Sequence, residues 1–159
     1  LWPSANRRWG ALNLFAALSW TDARFSDFLV TTVSNGQITE SNLAGKRVDN
    51  APRYVHRLGA TYAYRTFSAT WQFSSVSEVF ADANNTELPS ANAQVGKLPG
   101  YTLMDLSATY TFATHYTIRA GINNLADARY ATRRAGGYPG PGLLPGEGRS
   151  WYVGAGVKF

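Results

Sequence analysis

RSWYVGAGVKF, Arg149 to Phe159, decides how the whole chain is read. Every second residue is apolar: Trp151, Val153, Ala155, Val157 and Phe159. Between them lie Ser150, Tyr152, Gly154, Gly156 and Lys158, mostly small or polar. A period of two is the repeat of a β-strand, whose side chains alternate between faces. One face is greasy and the other wet, which suits a transmembrane β-barrel with lipid outside and a hydrated lumen inside.

Working outward, the same alternation recurs five times. Leu12, Leu14, Ala16, Leu18 and Trp20 form one apolar row, and Tyr54, Leu58, Ala60, Tyr62 and Tyr64 a second. Phe67, Ala69, Trp71 and Phe73 form a third, Met104, Leu106, Ala108, Tyr110 and Phe112 a fourth, and Tyr116, Ile118, Ala120 and Ile122 a fifth. A tilted strand of about eleven residues covers the roughly 25 Å apolar band of an outer-membrane barrel. Trp20, Tyr54, Tyr64, Phe67, Phe112, Tyr116, Trp151 and Phe159 fall near the row ends, where interfacial aromatic girdles belong. The connections alternate in length. Arg65-Thr66 and Ala113 to His115 are short; Asp22 to Arg53, Ala81 to Pro99 and Ala126 to Gly148 are long. Short turns would be periplasmic and long loops extracellular, with Phe159 at the periplasmic rim.

Composition agrees. The mean hydropathy is -0.23 although aromatics reach 14%, because alternation dilutes hydrophobicity along the sequence while concentrating it on one face. No run approaches the length of a membrane-spanning helix, and Leu1 onward offers no signal peptide. There is no cysteine, which removes disulfide and thiolate chemistry. The net charge is +5, but the basic residues are scattered in pairs such as Arg7-Arg8, Lys46-Arg47 and Arg133-Arg134. Without a basic run or a recognition helix, no nucleic-acid partner is expected. A soluble β-sandwich also alternates, but its strands are shorter and its connections less regularly long and short. Six strands fall below the about eight of the smallest membrane barrels, and an open edge in lipid leaves backbone groups unpaired. The expected fold is therefore all-β: six antiparallel strands belonging to a larger transmembrane barrel.

From Gly100 onward the chain resembles the C-terminal end of TonB-dependent outer-membrane receptors. The resemblance is carried by GYTLMDLSATYTF (Gly100 to Phe112), RAGINNLADARY (Arg119 to Tyr130) and the closing aromatic strand. Gly121, Asn124, Leu125, Asp127 and Tyr130 match the family's G-x-x-N-L-x-D-x-x-Y block, and GKRVDNAPRY (Gly45 to Tyr54) looks like its loop-to-strand entry. This implies that residues 1–159 are the C-terminal portion of a barrel of about 22 strands, with the plug domain and energy-coupling motif outside the chain. It further implies a location in the outer membrane of a Gram-negative bacterium and contact with lipid and lipopolysaccharide. The TonB complex would act through the plug, and the barrel-assembly machinery would read the terminal strand at Phe159. YATRRAGGYPGPGLLPGEGR (Tyr130 to Arg149) resembles the ferric-citrate and related ferric-siderophore branch, implying a ferric chelate as cargo and no resident cofactor. Haem, cobalamin or a glycan through the same barrel stays open.

Arg129, Arg133 and Arg134 could bind an anionic chelate through bidentate guanidinium contacts, or could simply be solvated or meet lipopolysaccharide phosphates. Tyr130 and Tyr138 could line a vestibule or belong to the rim. Asn124 and Asp127 could close the fifth strand, since Asx side chains bond nearby backbone groups and tolerate turn geometry. Arg57, Asp105 and Arg119 share the lumen-facing parity, where Asp105 could pair with either arginine. His56 could meet Ser68, Ser74 or Ser75 in an outer-membrane hydrolase, but there is no G-x-S-x-G elbow, carboxylate pair or metal-ligand cluster. The expectation is a receptor without catalytic or metal-binding residues.

Overall fold

A computed structural model describes residues 9–137 and 140–159, and among these there is no helix. Six strands make one antiparallel sheet: β1 (Ala11–Trp20), β4 (Tyr54–Tyr64), β5 (Phe67–Val76), β8 (Tyr101–Phe112), β9 (Tyr116–Asn123) and β12 (Ser150–Val157), paired in that order. These are the six alternating segments of the sequence.

The register explains why the faces stay separate. Leu12 faces Tyr62, then Ala69, Ala108, Ala120 and Val153 follow across the sheet as one apolar row. The neighbouring row is Asn13, Thr61, Thr70, Ser107, Gly121 and Tyr152. Thr61 and Thr70 share a hydrogen bond of 3.0 Å on that polar face. A slip of one residue would put leucines among threonines, so the pattern fixes the pairing. Aromatics gather at both ends of the apolar face. Trp20 stacks on Tyr54 at 6.4 Å at one end, and Phe112 on Tyr116 at 5.3 Å at the other. Arg65 turns β4 into β5 at φ 52, and Ala113 and Thr114 turn β8 into β9 at φ 47 and 61.

The long loops carry further hairpins, which alternation of greasy and polar residues does not reveal. β2 (Leu29–Ser34) pairs with β3 (Gln37–Asn42), β6 (Val79–Phe80) with β7 (Lys97–Leu98), and β10 (Ala131–Ala135) with β11 (Gly142–Pro145). The buried hydrophobic residues Leu43, Phe80, Leu98 and Ala135 all lie in these loops or their hairpins, not in the sheet. The loops are also stitched together. Asn85 accepts from Arg47 N at 2.7 Å and donates to Arg47 O at 2.8 Å, while Lys46 Nζ reaches Asn84 O at 2.9 Å. The sheet is thus a wall, and the three loops form a packed cap on one rim.

Candidate functional site

The site begins where β9 ends. Asn124 and Asp127 both sit in the left-handed region, at φ 50 and 53, which Asn and Asp tolerate better than most residues. Asn124 is buried. Its Oδ1 accepts from Ala128 N at 2.8 Å, and its Nδ2 donates to Ala128 O at 2.9 Å and Glu147 O at 3.1 Å. One side chain therefore holds both ends of the third long loop. Asp127 adds a second tie: its Oδ1 accepts from Arg149 N at 3.1 Å, with Arg149 Nη2 at 3.8 Å from Oδ2. Leu125 contributes through its backbone, donating to Met104 O at 2.7 Å. Gly121 lies under the Tyr152 ring, which a Cβ would approach to 2.6 Å.

Asp105 does not pair with Arg119 or Arg57. Its Oδ1 accepts from Asn124 N at 2.8 Å, and Arg119 lies opposite Thr109, on β8 but well beyond Asp105 along the strand. The freed backbone N–H at the end of β9 is the nearer partner, so the carboxylate serves the same knot as Asn124.

Beyond the knot the loop folds over a cavity of about 560 Å³ between the second and third long loops, lined in part by Leu98, Pro99, Arg129, Tyr130, Leu143 and Pro145. Tyr130 packs at a tilt against Tyr101 with ring centroids 4.4 Å apart, and Gly146 lies directly against its ring, where any Cβ would collide. Arg129 and Arg133 are exposed. Arg134 is different. Its Nε donates to Gly96 O at 3.0 Å, Nη1 to Ala93 O at 3.0 Å and Nη2 to Lys97 O at 3.2 Å. It clamps the third loop to the second, helped by Gln94, which donates to Gly136 O at 3.0 Å. Adjacent residues of a strand point to opposite faces, which separates Arg133 from Arg134 within β10. Tyr138 lies outside the described residues.

Lys97, Tyr101 and Gln94 belong to the site without a sequence motif to signal them. Lys97 Nζ sits 2.9 Å from Glu78 and 3.5 Å from Glu87. The hydrogen bond that Lys97 donates to the Glu78 carboxylate raises its pKa above the ordinary lysine value. At the far rim Phe159 is fully exposed past the end of β12, and Lys158 N ties that end to His115 O at 2.8 Å. His56 faces Ser75 across β4 and β5, but its ring stacks on Tyr54 at 4.8 Å.

An antiparallel wall with one apolar face, aromatic ends and a looped rim defines a membrane β-barrel of the receptor type. The model of the family described as "TonB dependent receptor-like, beta-barrel" matches residues 4–125, and the chain belongs to that family. Its place is the outer membrane of a Gram-negative bacterium. Among curated relatives, the metal-pseudopaline receptor CntO of Pseudomonas aeruginosa is 29% identical over 112 residues, 70% of this chain and 15% of that receptor. The vitamin B12 transporter BtuB of Vibrio vulnificus is 30% identical over 95 residues, 59% of this chain and 14% of that transporter. The chain thus spans about a seventh of these relatives, as the 15% and 14% coverages state. The unliganded ferric citrate transporter FecA superposes with a TM-score of 0.73 at 20% identity, covering 93% of this chain and 21% of that one. That likeness establishes the fold.

Proposed function

We propose that the chain supplies six strands of a receptor barrel that takes up an anionic ferric chelate, ferric citrate or another ferric siderophore, with energy delivered through TonB. The long loops face the cell exterior and the short turns the periplasm. The observation that carries the reading is the cavity beside Tyr130 and Arg129 on the looped rim. Arg129, which lines the cavity, and Arg133, exposed outside it, are the arms that meet the chelate, since charged guanidinium groups bind carboxylates in a bidentate manner. Arg134 is a positioning residue, because its hydrogen bonds go to loop carbonyls. Tyr130 lines the vestibule, and the exposed Phe159 is read by the barrel-assembly machinery. Transport would be non-covalent: the loops capture, the plug gates, and a periplasmic partner supplies energy.

The test is equilibrium binding by the full-length receptor in detergent, by calorimetry, with ferric citrate and a panel of other ferric chelates, haem and cobalamin. Competable binding of ferric citrate that weakens on Arg129→Ala or Arg133→Ala supports the reading. Capture of cobalamin or haem instead would keep the receptor and discard the iron cargo. The likeness to a vitamin B12 transporter at 30% identity favours cobalamin as that second reading.

A further inference from the structure

The cavity of about 560 Å³ between the second and third long loops has an apolar wall. Pro89, Leu98, Pro99, Tyr130, Leu143 and Pro145 make up most of its lining. Among the described residues no carboxylate, amide or aliphatic hydroxyl side chain lines it. Pro89, Pro99, Leu143 and Pro145 are exposed. Tyr130 leans on Tyr101, which shares the lumen-facing parity of Leu103 and Asp105. The cavity is therefore on the wet side of the wall, where lipid does not cover it. Apolar surface held open to water is costly and marks a place where something binds. The three cations that line the cavity are unequal. Arg134 gives Nε, Nη1 and Nη2 to the carbonyls of Gly96, Ala93 and Lys97. Lys97 lies 2.9 Å from Glu78 and 3.5 Å from Glu87. Arg129 is exposed and has no ionic partner among the described residues. The walls are also set in advance. Arg134 and Gln94 tie the two loops together, and Tyr130 is held between the Tyr101 ring and the bare backbone of Gly146.

We propose that this cavity is a subsite for an aromatic ring carried by the cargo, so that the preferred ferric chelate is an aryl-bearing one and not ferric citrate. The proposal rests on the reading that the looped rim captures a ferric chelate, and it narrows that reading. A flat ring packs offset or edge-on against Tyr130 and makes dispersion contacts with the three prolines and Leu143. Arg129 at the same cavity meets one anionic group on the ring or beside it. A polycarboxylate gains nothing from prolines and leucines. It would leave carboxylates unpaired against them, or draw Arg134 and Lys97 away from the partners they already have. A ring needs neither, and a platform fixed beforehand by Tyr101 and Gly146 lowers the ordering cost of binding it.

The experiment is calorimetry on the full-length receptor in detergent with two ferric complexes of one linear trihydroxamate chelator, its terminal amine capped with 4-carboxybenzoyl or with succinyl. The iron site and the single negative charge are the same, and the ring is the difference. Wild type should bind the aryl-capped complex about tenfold more tightly than the succinyl one, and more tightly than ferric citrate. Tyr130→Ala should erase that preference and leave the succinyl complex unchanged, while Tyr130→Phe, which keeps the ring, should hold it within about twofold. Arg129→Ala should weaken both complexes equally, since both carry the charge. Leu143→Ser, at an exposed position, should lower the preference about threefold. Unchanged heat-modified gel mobility shows that each variant is folded, and Leu143→Ser decides alone if Tyr130→Ala is not. Equal affinity of wild type for the two complexes, binding of neither, or a preference that Tyr130→Ala and Leu143→Ser leave intact would overturn the proposal. So would a fall in melting temperature of Leu143→Ser with the preference unchanged, which would show another loop of the barrel packed on the cavity. Tight binding of ferric citrate without any aryl preference would remove the ring subsite and keep ferric uptake. Equal binding of the aryl-capped chelator with and without iron, lost in Tyr130→Ala, would keep the ring subsite and remove the ferric cargo.

Discussion

The sheet and the cap of loops are stabilised in different ways. In the sheet, Leu14, Leu18, Trp20, Trp151 and Val153 stand more than two-thirds exposed to whatever surrounds the chain. They gain nothing until lipid covers them. In the cap, Leu43 and Leu98 are almost wholly buried at 1% and 2% exposure, and Asn124, Arg134 and Asn85 tie the segments together. The wall therefore takes its stability from the bilayer and from backbone pairing, while the cap has a small core of its own. A water-soluble domain would show the reverse, with its core between sheet faces.

Charge substitution should break this comparison most sharply. Leu106 lies mid-strand on the apolar face, and Gln72 lies mid-strand on the polar face of the neighbouring β5. Leu106→Arg should destabilise the full-length barrel by about 3 kcal/mol, the cost of a cation near the bilayer midplane. Gln72→Arg, beside Asp105, should cost under about 1 kcal/mol. Urea unfolding in vesicles compares them, and equal costs would mean that the apolar face does not meet lipid. Truncation should sharpen the same contrast by a smaller amount. Leu98→Ala removes transfer energy and leaves a cavity, about 3 kcal/mol. Leu14→Ala loses only the transfer term, about 1–2 kcal/mol, because lipid fills the space. Hydrogen exchange in residues 77–100 should report the first change locally, and midpoint shifts the second.

Arg134→Ala comes next. It removes the bonds to Ala93, Gly96 and Lys97 carbonyls and should open residues 90–97 to exchange by about 2 kcal/mol. Arg134→Lys should rescue little of it, since one ammonium cannot span three carbonyls with the guanidinium fork. Full rescue by lysine would show that charge near β7, not the geometry of the fork, holds the two loops.

The wall was legible in the sequence and the cap largely was not, for a physical reason. Long strands that face lipid must alternate without interruption, so Leu12 to Trp20 and Ser150 to Val157 announce themselves. The short turns at Arg65 and Ala113 then fix the hairpins. Cap strands are only two to six residues long and mix apolar and polar residues without a sustained alternation, so the period of two carries no burial signal there. One signal was still present: Asn35-Gly36 between Ser34 and Gln37 is the strongest short hairpin marker, and its φ values of 49 and 75 make the turn of β2 and β3. The partners of Asp105 and Arg134 were not legible. Asp105 accepts from Asn124 N, 19 positions away, and Arg134 donates to carbonyls 37 to 41 positions away, and no residue type marks such backbone groups.

The weakest tie of the cap is ionic, and it offers a gentle way to loosen the cap while leaving the wall intact. The hydrogen bond to Glu78 raises the Lys97 pKa, with a further contribution from Glu87. A raised cationic pKa means that the folded state holds its proton more tightly than the unfolded chain. The stabilisation is therefore complete below the ordinary lysine value of about 10.4 and is lost as the pH climbs through the higher folded value. With the Lys97 side chain 29% exposed and Glu87 66% exposed, salt screens the pair and its contribution is small. Protease accessibility of residues 77–100, followed from pH 9 to 11, should rise in wild type and stay flat in Lys97→Met, whose starting level is already raised. The strands should show no such step, because no salt bridge among the described residues holds their apolar rows. A matching step in the strands would mean that the cap and the wall unfold as one unit, and the division between them would fall.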